Sequence, residues 1–172
     1  TKAILTADGG DGQFTLAGLD LTASLGALLA PHVDLAGDLH AAGAVGTLEL
    51  DDIAGSVTGT SLGTLRAHGN SSAALMLSGA ASGLTLTSAT IDGELSGTWT
   101  ITGRVGQITA GEISGWQANI TGPINLITTA GDFTGALTTS ALQGLTVGGD
   151  LDADLNIATS LTRLRVTGDL NG

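Results

Sequence analysis

Between residues 145 and 157 the chain alternates strictly. Leu145, Val147, Gly149, Leu151, Ala153, Leu155 and Ile157 fall on one face, and Thr146, Gly148, Asp150, Asp152, Asp154 and Asn156 on the other. A period of two predicts a strand with an apolar inner face and a polar outer one. Helical periodicity is poor throughout, and abundant Gly and Thr disfavour helix. LTASLGALLA (21–30), rich in Leu and Ala and closed by Pro31, is the one helix-like stretch, with a short helix, as a cap or an excursion between repeats, as the alternative to continued coil.

The strand patterns are copies of one another. LTVGGDLDADLN (145–156), ITTAGDFTGALT (127–138), LRVTGDLNG (164–172) and VDLAGDLHAAG (33–43) each carry Gly-Asp followed by Leu or Phe. FTLAGLDLTA (14–23), LELDDIAGSVTG (48–59) and ITAGEISG (108–115) are shorter relatives. Repeat starts at Phe14, Val33, Leu48, Leu65, Leu84, Ile108, Ile127, Leu145 and Leu164 are spaced by about 19 residues on average, one turn of a parallel β-helix. The fold class expected is all-β: a single-stranded, right-handed parallel β-solenoid of about nine coils. Residues 1–172 form one domain, with recognisable coils over 14–172 and an N-terminal edge or cap over 1–13. At about 4.8 Å per coil, the rod would be roughly 40 Å long.

Composition agrees with a narrow core. Aromatic residues are 2% of the chain, with Trp99, Trp116, Phe14 and Phe133 and no Tyr. The 28 glycines imply many turns and close backbone approaches. Both Trp residues read as packing groups, Trp99 in phase with Ile101 and Trp116 in the core or at its edge. The formal charge of −11, with five basic residues, opposes binding to nucleic acid and docking on anionic membranes. No apolar run is long enough for a transmembrane helix. The chain lacks cysteine, begins at Thr1 and stops within a coil at Leu170-Asn171-Gly172. It is expected either to continue in a longer protein or to stack end to end with itself.

The recurring Gly-Asp-Leu and the coil length, over about residues 33–172, resemble the β-solenoid repeats of large bacterial secreted and surface proteins of the filamentous-haemagglutinin type. That resemblance implies an extracellular or cell-surface location.

Candidate chemistry is sparse. Lys2, Arg66, Arg104, Arg163 and Arg165 are mostly scattered, and Asp51-Asp52 point to opposite faces of a strand, so neither the polyanion recognition nor the acid–base pair of a polysaccharide-cleaving β-helix is assembled. His32, His40 and His68 face outward at different offsets and read as solvated surface groups. GGDG (9–12) reads as an N-terminal turn. A Thr column at Thr85, Thr109, Thr128 and Thr146 lacks the flat second column of an ice-binding face. The one metal candidate is an acidic ladder, Asp132, Asp150 and Asp169, at a single offset in three coils. Its carboxylates would serve either as turn acceptors for backbone N–H groups or as ligands for Ca²⁺.

The function expected is a non-catalytic structural or interaction rod, a segment of an adhesin, stalk or matrix protein. Its partners would be further copies of itself or a surface glycan or matrix. The alternative is a binding module using one face for carbohydrate, calcium or ice. A polysaccharide-active enzyme ranks third.

Overall fold

Strands of this composition cannot bury an apolar face alone, because one coil encloses no core. The computed structural model, which describes residues 2–4 and 14–171, solves this by stacking coils in parallel register. Each coil has three flanks. The first flank holds β1 (Lys2–Ile4), β4 (Leu25–Leu29), β7 (Val45–Leu50) and β9 (Leu62–Ala67). It continues through parts of β11 (Leu84–Leu95) and β13 (Arg104–Ile120), through β14 (Ile124–Thr129), and into β15 (Phe133–Val147) and β16 (Leu151–Val166). The second flank includes β2 (Phe14–Leu16) and β5 (Val33–Leu35). The third holds β3 (Leu19–Leu21), β6 (Leu39–Ala41), β8 (Ser56–Gly59), β10 (Ala74–Ser78) and β12 (Thr98–Thr102). The longer strands β13, β15 and β16 turn corners and serve all three flanks.

Register makes the core. On the first flank Leu28, Leu48, Leu65, Ala89, Ile108, Ile127, Leu145 and Leu164 pair in succession. On the third the column is Leu39, Val57, Leu75, Trp99, Ala118, Leu137 and Leu155. On the second, Leu35, Ile53, Ser71, Leu95, Ile113, Phe133, Leu151 and Leu170 stack. Corresponding residues lie 17 to 25 positions apart in sequence. The parallel solenoid and its coil length are therefore as the repeat predicts.

Trp99 and Trp116 are both fully buried. Their rings meet edge to face at 5.3 Å and 86°, and Trp116 lies 6.1 Å from Phe133. Each large ring has a small neighbour. Trp99 stacks on Ala118. Trp116 pairs with Gly135, whose φ of +119° and missing Cβ are both required, since a Cβ there would lie 2.1 Å from the Trp116 carbonyl oxygen. Both indole N–H groups are buried without a hydrogen-bond acceptor.

One open alternative is settled and two expectations are corrected. Residues 21–30 contain no helix: Leu25–Leu29 is strand β4, paired in parallel with β1 and β7. A ten-residue helix is marginal by itself, whereas here Leu25 and Leu28 enter the core and the backbone joins both neighbouring coils. Phe14 and Val33 pair with each other on the second flank and do not begin the Leu48 column. Leu84 is half-exposed, and Ala89 takes its expected place, because the coil from Thr64 to Ser88 is 24 residues long and the additional residues form a corner.

Candidate functional site

The acidic ladder is longer than the sequence suggests. The residue just before each inward side chain of the second flank runs Asp34, Asp52, Asn70, Glu94, Glu112, Asp132, Asp150 and Asp169. At about 4.8 Å between coils, adjacent carboxylates repel by about 0.9 kcal/mol in water and about 3.5 at an effective dielectric of 20. All of these side chains are exposed or partly exposed, so the lower figure applies.

Hydrogen bonds to the backbone offset that repulsion. The N–H of Asp150 donates to Asp132 Oδ1 at 2.8 Å, and that of Asp169 to Asp150 Oδ1 at 2.7 Å. Asp34 accepts from Asp52, Asp52 from Asn70, and the Asn70 side chain from Glu94. Each short side chain thus reaches the backbone of the next coil. Glu94 and Glu112, one methylene longer, make no such bond among the described residues.

The same geometry explains the recurring Gly-Asp. A Cβ on Gly149 would lie 2.0 Å from Asp132 Oδ1, and one on Gly168 would lie 2.1 Å from Asp150 Oδ1. Each carboxylate fills the space that a side chain would need. Gly37-Asp38, which shares the dipeptide, belongs elsewhere: Asp38 precedes Leu39 on the third flank. Its Oδ1 accepts from the Ser56 hydroxyl at 2.6 Å and from the Ser56 N–H at 3.2 Å. The hydroxyl bond first, then the backbone bond, hold the Asp38 carboxyl below the ordinary aspartate range.

Asp132, Asp150 and Asp169 are therefore aligned, each at the same place in its coil. Among the described residues no three His, Asp or Glu side chains converge as a metal set.

The structure also assembles a charge cluster that sequence reasoning did not join. Arg66 binds Asp92 at 2.8 Å, and His68 sets Nε2 2.8 Å from Glu49 and Nδ1 3.6 Å from Asp92. The signal lay in the offsets, for Glu49 pairs with Arg66, but the irregular coil after His68 hid Asp92. His32 is exposed, and His40 Nδ1 meets the Thr58 hydroxyl at 2.7 Å. The three histidines share no site. The Thr column is Thr90, Thr109, Thr128 and Thr146. Thr85 is instead buried and donates to the Thr102 carbonyl at 2.7 Å. GGDG (9–12) and the remaining 5–13 segment lie outside the described residues, as does the Lys2 side chain.

Two flanks carry uncharged bands: the first over residues 86–91, 105–110, 124–129 and 142–147, and the third over a longer stretch. On the third, β8, β10 and β12, with residues 117–120 and 136–139, carry no charged side chain. Two shallow grooves open on it. One, of about 230 Å³, is bordered by Thr98, Thr100, Gln117, Asn119, Ala136 and Thr138. The other, of about 340 Å³, is bordered by Thr58, Met76, Ser78, Thr100 and Thr102.

No protein-family model matches the chain, and no curated protein or solved structure matches it.

Proposed function

We propose that this chain is a non-catalytic structural and interaction rod, a segment of a secreted or cell-surface adhesin, stalk or matrix protein of the filamentous-haemagglutinin type. The observation that carries the reading is the continuity of the stacked core. Inward columns run in register from Leu25 on β4 to Leu151 on β16. Such a solenoid spreads its stability along its length and spaces whatever it bears at regular intervals. The acidic outer ladder supports an exposed role, because like charge on a β-rich surface discourages lateral sticking.

The reading extends to self-association. Strand β16 presents Leu161 and Leu164 to solvent, and Leu170, bridged to Leu151, is exposed beside it. Another coil, from a flanking segment or a second copy, would cover them and complete the backbone pairing. Protease treatment of intact source cells, followed by immunodetection of this segment, tests the location. Loss of the antigen from intact cells supports the rod; an antigen that stays protected until the cells are lysed overturns it.

A further inference from the structure

We propose that the uncharged band of the third flank is a binding surface for an extended neutral polysaccharide. This goes beyond the rod reading and does not depend on it.

The first argument is charge. The chain carries a formal −11, yet this band spans five successive coils without an ionisable side chain. It is bracketed by Asp38 and His40, beside Ser56 and Thr58, and by Asp154, beside Ala136. The first flank is uncharged over four coils, 86–91, 105–110, 124–129 and 142–147, and the third over five; in an acidic molecule the longer band favours neutral ligands over polyanions.

The second argument is the state of the polar groups. Of the groove-lining hydroxyls Thr58 is engaged, by His40 and the Leu39 carbonyl; other side-chain bonds nearby run elsewhere, Thr85 to the Thr102 carbonyl, the Gly103 N–H to Thr121, the Gly115 N–H to Thr134. Thr98, Thr100, Gln117, Asn119 and Thr138 make none among the described residues, and all five are exposed. Hydroxyls and carboxamides both donate and accept, as sugar hydroxyls do. Strand geometry places them about 6.7 Å apart along a strand and about 4.8 Å apart between coils.

The third argument is shape. The two grooves lie on the same flank on either side of Thr100, which borders both, and an extended chain of sugars laid across the strands would use them as one track. Met76, 48% exposed, gives the track an apolar floor at one end. A pyranose ring has a C–H face and a hydroxyl rim, and this track offers an adaptable thioether beside hydroxyls and amides. Size decides against a second copy as the occupant. The band measures roughly 20 by 13–17 Å, so two copies would bury about 600 Å² in all, well short of the roughly 1,200 Å² of a stable protein interface. A chain of sugars needs only the track.

The test is titration calorimetry and affinity electrophoresis of the full chain with cellohexaose, xylohexaose and mannohexaose, with polygalacturonate as the anionic comparison. Asn119→Glu puts a carboxylate in the track. Thr128→Glu does the same on the first flank. Circular dichroism establishes that both variants keep the fold. Binding of at least one neutral hexasaccharide, weakened at least tenfold by Asn119→Glu and unchanged by Thr128→Glu, supports the proposal. Failure of all three neutral sugars, binding of polygalacturonate alone, or equal loss in both variants overturns it. So does a concentration-dependent dimer, or inhibition of ice recrystallisation, that Asn119→Glu abolishes in the absence of sugar binding. Each of these failures leaves the rod reading, tested on intact cells, where it stands.

Discussion

At the scale of single residues, the position of a side chain within its strand decides its cost. Leu151 is buried at 2% exposure while its neighbour Asp152 is exposed. Leu151→Asp places a carboxylate among Phe133 and the other inward groups, at a cost of several kcal/mol unless the coil opens. Asp152→Ala removes an exposed charge and is expected to change stability by less than about 0.5 kcal/mol. Thermal melts of the two variants check this; equal destabilisation would contradict the strand phase. Asp38 supplies a second case. Its carboxyl is held down by Ser56, so the bonded anion contributes at neutral pH and down to the ordinary aspartate range. That contribution is lost as pH falls through the lowered folded value. In Ser56→Ala the titration midpoint of Asp38, followed by NMR, is expected to rise toward the ordinary value while staying below it, since the Ser56 N–H still donates.

At the scale of an element, the ladder on the second flank depends on side-chain length. Asp132 reaches the Asp150 N–H, but Glu112 makes no corresponding bond to Asp132. Glu112→Asp should supply it, because Gly131 leaves the space open: a Cβ there would meet nothing closer than 3.2 Å. The expected gain is a few tenths to about 1 kcal/mol, read from a denaturant midpoint at unchanged m-value. No gain, or a loss, would show that repulsion between the shorter carboxylates dominates. Calcium offers the competing account of the same column. If backbone bonding compensates the charge, melts in millimolar Ca²⁺ and in chelator at fixed ionic strength should coincide. A rise in Tm with Ca²⁺ that vanishes in Asp150→Asn would assign Asp132, Asp150 and Asp169 to the ion.

For the whole molecule, stability is a sum over neighbouring coils, so coverage should set local stability. Ile108, Ile127 and Leu145 lie between coils and are fully buried, whereas Leu161 and Leu164 on β16 are 36% and 42% exposed. Amides of β16 are expected to exchange with solvent faster than those of β13, and to become protected as concentration rises if copies stack there. Hydrogen exchange and light scattering across a concentration series check both parts. A monomer at high concentration with β16 as protected as β13 would count against end-to-end stacking.

The alternation at 145–157 and the recurrence of Gly-Asp-Leu determined, without coordinates, that the chain is an all-β parallel solenoid with Leu151 inside and Asp150 outside. Both signals are local: a strand's two faces follow from its pleat, and a repeat shows its period directly. Register between coils is not local. Only the stacked structure decided that Ala89, and not Leu84, joins the Leu65 column, that Leu25–Leu29 is a strand, and that Gly37-Asp38 lies off the ladder. The 24-residue coil shifts every later offset, and composition near Leu25 favours helix until neighbouring strands supply backbone partners. The Asp-to-backbone bonds and the uncharged band arise from residues about a coil apart, which become neighbours only when the coils stack.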